Sequence, residues 1–181
     1  MKSCEFSIRP IGVIRTPYAG VEDDVPIQGR LASNSIGETH IYPEFREGLR
    51  DLEGFSHVFL LYVFHRTTVM KMIARPYLDT RERGIFAIRS PHRPNRIGLT
   101  LVKLLSIENG VMKIEGVDMV DGTPLVDIKP YNPKFDRIEN DEKVRTGWMD
   151  DKAIDDYGFR VTTSSRKQWL HEEWNPMHTG E

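Results

Sequence analysis

The chain is poor in sulfur nucleophiles: Cys4 is the single cysteine in 181 residues. That count excludes an internal disulfide framework and a cysteine-rich zinc site. At a chain end the thiol reads as incidental rather than as a nucleophile. Long apolar runs are also missing. The longest, Val58 to Phe64, is about seven residues, whereas a membrane span needs roughly 18. The opening residues Met1-Lys2-Ser3-Cys4-Glu5 have no apolar signal-peptide core, which argues for a cytoplasmic protein without a membrane role. Neither sign of charge dominates, since 25 Lys and Arg face 27 Asp and Glu for a net charge of −2. A chain so balanced does not coat nucleic acid through bulk charge, so any such binding must come from a local patch. The six histidines show no His-x-x-x-His or His-Glu-x-x-His spacing, which gives a zinc site little support and leads us to expect no metal.

What remains is an ordinary globular composition, 39% hydrophobic and 29% charged, in a chain of one-domain size. The first half reads as strands. Phe6 to Arg15 is rich in β-branched residues and breaks at Thr16-Pro17-Tyr18-Ala19-Gly20. An acidic loop from Val21 to Pro26 follows, then a short strand from Gly37 to Tyr42. Pro43 to Leu52 reads as a helix, with proline in its first turn and Phe45, Leu49 and Leu52 at i, i+4 and i+7. Ser56 to Phe64 is a continuous apolar strand suited to the middle of a core. Thr67 to Arg83 reads as a polar, basic loop, after which Gly84 to Ile88 resumes as a strand. Gly98 to Ile107 and Val111 to Met119, joined through Asn109-Gly110, make the clearest hairpin, because both turn residues accept positive φ. Leu125 to Lys129 is the last strand, and Ser164 to Trp174 reads as a possible helix.

There is no strand–helix alternation and no Gly-x-Gly-x-x-Gly after a strand, which disfavours a Rossmann sheet. The fold class is therefore mainly β: a single closed or nearly closed antiparallel β-barrel with one or two short helices. We assign residues 1–137 to the barrel. Residues 138–181 form a C-terminal extension packing on the barrel or on a partner subunit, frayed from about 175.

Three constellations carry candidate chemistry. Arg81, Arg83, Arg89, Arg93 and Arg96 crowd a segment opposed by Glu82 alone, with His92 among them and Pro91 and Pro94 as stiffeners. Arginine forks match phosphate and carboxylate oxygens, and a stiff loop loses little entropy on binding. The alternative is a solvated basic loop paired with surface acids. Second, Asp118, Asp121 and Asp127 lie in the stretch Val117 to Tyr131. They are candidates for a metal, for ligand hydroxyls or amines, or for turns alone. Asp127 sits inside an apolar strand, where a carboxylate needs a partner such as Lys129. Third, His65-Arg66 leaves the central strand at the lip of the core, while His40 and His57 read as structural.

Ile11 to Tyr18, Leu52 to His57 running on to His65, Arg89 to Gly98, and Asp118 to Tyr131 together resemble the TsaA/TrmO family, over roughly residues 6 to 136. The resemblance implies a β-barrel methyltransferase that uses S-adenosylmethionine, works as a homodimer and acts on tRNA. Its substrate would be N6-threonylcarbamoyladenosine at position 37, beside the anticodon, and its product the N6-methylated nucleoside. The family's cofactor positions carry over to Pro26, Ile27, Gln28, His65, Arg66, Arg89, Leu99, Val117, Asp118, Met119, Val120 and Asp121. Ile27 replaces an expected basic residue, and Arg66 stands where glutamine is common. On chemical grounds N6 is a poor nucleophile until it loses its proton, and His65 and Asp127 are the candidate bases. Arg93, Asn95 and Arg96 are expected to face the anticodon loop, and Arg89 the cofactor. Two rival readings are a non-catalytic nucleic-acid-binding β-barrel, which needs aromatic stacking positions, and a metal-dependent hydrolase built on the three aspartates.

Overall fold

The apolar run at Val58 to Phe64 is sorted by the pleat of a strand. In a computed structural model, which describes residues 5–20, 25–29, 34–76, 79–138 and 144–150, His57–Val63 forms strand β3. Val58, Leu60 and Tyr62 point into the core, and Phe59, Leu61 and Val63 stay half-buried on the other face. The other strands are β1 (Gly12–Arg15), β2 (Ile36–Ile41), β4 (Ile73–Ala74), β5 (Arg83–Gly84), β6 (Ile97–Glu108), β7 (Val111–Glu115) and β8 (Thr123–Pro130). Six of them close into an antiparallel barrel in the order β1-β2-β7-β6-β3-β8, while β4 and β5 pair separately. The expected fold class is thus observed. Ile14, Leu60, Met112, Ile114, Val117 and Leu125 are all fully enclosed in its interior.

The β6–β7 hairpin turns where the sequence indicates. Asn109 and Gly110 both have positive φ, 53° and 82°, the backbone that a two-residue turn between twisted strands requires. Elsewhere tertiary packing reshapes local expectation. Pro43–Leu49 is a 3-10 helix rather than an α-helix, and a second short turn covers Leu52–Gly54. Phe45, Leu49 and Leu52 still pack against the core, so the apolar spacing is honoured. The segment crosses a barrel end, however, with each turn closed by a tight bond such as Arg50 N–H to the Glu47 carbonyl at 3.2 Å. The expected strand Gly84 to Ile88 is a 3-10 turn over Ile85–Ala87. Ile85 and Ile88 bury together with Ala74 and Trp148 in a second, smaller cluster, and a spacing of three suits a helical turn rather than a strand. Ile73–Ala74 pairs inside the stretch read as loop. Toward the end of the barrel the four-residue helix α1 (Pro133–Asp136) is capped by Asn132, whose side chain accepts from Lys134 N–H at 3.0 Å. Among the described residues no helix is long and apolar enough to cross a membrane. The expected helix at Ser164 to Trp174 lies outside the described residues.

Candidate active site

The stretch Val117 to Asp121 is irregular, and side chains from the first strand's exit hold it in place. Thr16 Oγ donates to the Met119 carbonyl at 2.9 Å, and Thr16 N–H donates to Asp121 Oδ1 at 3.0 Å. Arg15 adds an ion pair to the same carboxylate at 3.2 Å. Asp121 N–H returns a bond to the Tyr18 carbonyl at 2.7 Å. Ser35 Oγ, in contact with Tyr18 Oη at 2.7 Å, donates to the Val117 carbonyl at 2.9 Å. The Ile11 to Tyr18 motif is therefore a clamp on the aspartate stretch. Val117 and Met119 are driven into the core, and Asp118 between them turns toward β3, β6 and residue 29.

Asp118 is the centre of the cluster that results. Its carboxylate accepts from Thr100 Oγ at 2.7 Å, from Gly29 N–H at 2.9 Å and, more weakly, from Tyr62 Oη at 3.4 Å. Tyr62 and Thr100 also meet each other at 3.1 Å. Burial pushes the Asp118 carboxyl above the usual carboxylate range, against hydrogen bonds that favour its charged form. Burial, and then the neighbouring Asp118 charge, drives the Tyr62 phenol far above its ordinary value, so it stays a neutral donor. Two glycines make the arrangement possible. A Cβ at Gly98 would run into the Tyr62 ring, and one at Gly29 would overlap the Gly116 carbonyl. Gly29 thereby brings its N–H within reach of Asp118.

The same segment leads to the basic loop. Gln28 Oε1 accepts from Arg89 at 2.7 Å, and the Gln28 amide donates to the Ile27 carbonyl at 2.8 Å. Arg89 is exposed, yet its charge is felt at Tyr62. Pro26, Ile27, Gln28, Arg89 and Asp118 thus form one rim, carboxylate inward and guanidinium outward. A carboxylate without a paired cation among the described residues, beside an exposed guanidinium, suits a ligand carrying both an amine or hydroxyls and an anionic group.

Other candidate residues lie elsewhere or are engaged differently. His65 and Arg66 are exposed just beyond β3. Partial burial, followed by the Arg66 charge, lowers the His65 pKa below its ordinary 6.5. Leu99 is 56% exposed on the outer face of β6, opposite in pleat to the inward Thr100. Asp121 and Val120 belong to the clamp, Val120 through its carbonyl to Thr123 Oγ at 2.7 Å. Asp127 pairs with Lys129 at 2.8 Å, the partner its place in a strand calls for. It lines a groove with Ile11, Ile41, Phe45 and Leu52, away from the hydrogen-bond partners of Asp118. Arg93 spends one nitrogen on the Ile85 and Ile88 carbonyls, at 3.1 and 2.7 Å. Arg96, at φ 52°, donates to the Thr67 carbonyl at 2.7 Å, and Asn95 is exposed. Among the described residues no three His, Cys, Asp or Glu side chains converge as metal ligands. Tyr62, Thr100, Gly29 and Gly98 are not among the site residues that the sequence suggests. The one local signal was a tyrosine within an otherwise apolar core strand, whose hydroxyl needs a buried partner.

A six-stranded closed antiparallel barrel, with a hydrogen-bonded carboxylate and an arginine loop on one rim, defines the class: a small single-sheet β-barrel. Within that class, the chain belongs to the family of the tRNA-methyltransferase O N-terminal domain, whose model matches residues 13–137. It is 45% identical over 157 residues to a probable S-adenosyl-L-methionine-binding protein of Pyrococcus abyssi, covering 83% of each chain. It is 41% identical over 138 residues to the tRNA (adenine(37)-N6)-methyltransferase of Escherichia coli, covering 71% of this chain and 58% of that enzyme. The crystal structure of TrmO from Pseudomonas aeruginosa superposes with a TM-score of 0.65 at 36% identity, over 80% of this chain and 63% of that one. The chain thus spans most of the archaeal relative but less than two thirds of the two bacterial ones.

Proposed function

We propose that this protein is an S-adenosylmethionine-dependent methyltransferase that acts on N6 of threonylcarbamoyladenosine at position 37 of tRNA, as a cytoplasmic homodimer. The observation that carries the reading is the Asp118 cluster beside Arg89. Asp118 accepts from the cofactor's amine or ribose hydroxyls, and Arg89, steadied by Gln28, binds its carboxylate. Pro26, Ile27 and the main chain from Val117 to Asp121 shape the remaining wall. The bound cofactor supplies an activated methyl group on sulfur. The protein's share is alignment and the exclusion of water, which are worth a large part of such a barrier. His65 takes the N6 proton: its lowered pKa keeps the ring neutral and able to accept at pH 7. Asp127, committed to Lys129, is better suited to a structural role. Arg93, Asn95 and Arg96 present their remaining donors to anticodon-loop phosphates. The homodimer reading draws support from the outer face of β6, where Ile97, Leu99 and Leu105 are exposed. In a dimer Leu99 reaches the cofactor held by the partner subunit.

Calorimetry with S-adenosylmethionine tests the reading, followed by methyl transfer to anticodon stem-loops with and without the threonylcarbamoyl group. Wild type binds the cofactor, and Asp118→Asn binds it about tenfold to a hundredfold more weakly, as expected for loss of a charged hydrogen-bond acceptor. No binding by the dimer would leave the non-catalytic nucleic-acid barrel in its place. Equal transfer to the unmodified loop would remove the threonylcarbamoyl requirement.

A further inference from the structure

The turn Ile85–Ala87 carries an exposed aromatic side chain. Ile85 and Ile88 are buried against Ala74 and Trp148, which leaves Phe86 between them 70% exposed. The Arg93 guanidinium lies over the Phe86 ring, 5.7 Å from its centroid. The same guanidinium is tied to the Ile85 and Ile88 carbonyls that flank the ring. One residue thus covers one face of the ring and locks the turn that carries it. Arg89, three residues on, belongs to the rim around Asp118, and three residues span at most about 11 Å. The turn that carries the ring is therefore only a short run of backbone from that rim.

An isolated exposed phenylalanine is ordinary. One that is pre-oriented, backed by a guanidinium and set among exposed Arg81 and Arg89 fits a planar, electron-rich, phosphate-bearing partner. Cation–π backing and aromatic stacking are the means by which proteins hold unpaired bases without reading their sequence. We propose that Phe86 and Arg93 form a stacking platform for an unpaired base of the anticodon loop adjacent to the methylated one. The platform adds an aromatic surface to the basic segment from Arg81 to Arg96. It rests on the tRNA methyltransferase reading above.

The test uses full-length protein and an anticodon stem-loop RNA with 2-aminopurine placed at each loop purine in turn. Three variants are compared: Phe86→Leu, which keeps an apolar side chain, Phe86→Ala, and Phe86→Trp, which keeps an aromatic face. With wild type, one 2-aminopurine position is quenched on binding. Phe86→Leu and Phe86→Ala lose that quenching and roughly 5- to 150-fold in RNA affinity, the worth of one stacked base. Phe86→Trp retains both, and S-adenosylmethionine affinity is the same in all four proteins. RNA affinity and quenching unchanged in Phe86→Leu would overturn the platform while leaving the methyltransferase reading standing. Variants that shift the dimer equilibrium in sedimentation without changing RNA affinity would overturn it too, and would assign Phe86 to a protein interface. Wild type that binds neither cofactor nor RNA overturns the parent reading, and the platform with it.

Discussion

Asp118 gives up part of its water for three hydrogen bonds, and burial still prevails in setting its proton affinity. The native state therefore holds that proton more tightly than the unfolded chain does. The stability contributed by the protonated form is complete below the ordinary value of 3.8 and is lost as pH rises through the raised native value. At neutral pH the charged carboxylate is a cost, about 1.4 kcal/mol for each unit by which its pKa is raised. Asp118→Asn removes the titration. Its melting temperature relative to wild type is expected to climb as pH goes from below 4 to 7 and then to level off. Calorimetric melts across that range check this, and a difference independent of pH would show that burial does not govern Asp118. Stability gained by a substitution that weakens cofactor binding would mark Asp118 as kept for its ligand.

Among the elements, β3 and β6 pack closely against each other at the site. Tyr62 lies across from Gly98 in register, and a methyl group at residue 98 would strike its ring. Gly98→Ala is expected to cost about 1–3 kcal/mol through overpacking, read by thermal unfolding, and to weaken cofactor binding by displacing the Tyr62 hydroxyl from Asp118. Gly54→Ala, where a Cβ meets nothing within 4 Å, serves as the neutral control. The same two strands show how far sequence reasoning reaches. The β6–β7 hairpin was legible because Asn109-Gly110 carries its instruction locally, and β3 was legible as an apolar run. The cluster was not. Tyr62 meets Asp118 from 56 residues away and Thr100 meets it from 18; no local pattern records that closure. Ile85 to Ile88 misled for a related reason: its β-branched residues favour a strand, whereas burying both isoleucines in one cluster requires a turn. Arg89 and Asp118 were singled out by the clustering of like charges and then by the family resemblance, not by periodicity, and the role of Arg93 in fixing its own loop became visible only in three dimensions.

At the scale of the molecule, two apolar clusters divide the labour. The barrel interior is one, and Ala74, Ile85, Ile88 and Trp148 make the other. Trp148 joins the second cluster to residues 144–150 by donating its indole N–H to the Ala87 carbonyl at 2.8 Å, with Arg83 5.5 Å from its ring. Trp148→Ala is expected to remove about 1–3 kcal/mol locally. Limited proteolysis should then cut faster around residues 144–150, while the main unfolding transition stays in place. A fall of the main transition by the same amount would mean that the clusters unfold as one. The barrel's closure also bears on its synthesis. The first strand pairs with the last, and Thr16 and Gly29 reach partners 105 and 89 residues further along. At roughly 5–20 residues per second, a nascent chain waits on the order of 5–20 s between making its first strand and making the segment that clamps it. The β6–β7 hairpin, by contrast, needs only microseconds once it has emerged. During that interval the edges of β1 and β2 are exposed to the cell's chaperones and to one another on neighbouring ribosomes. The Asp118 cluster, which ties Gly29 to Tyr62, Thr100 and Asp118, comes into being only when the wait is over.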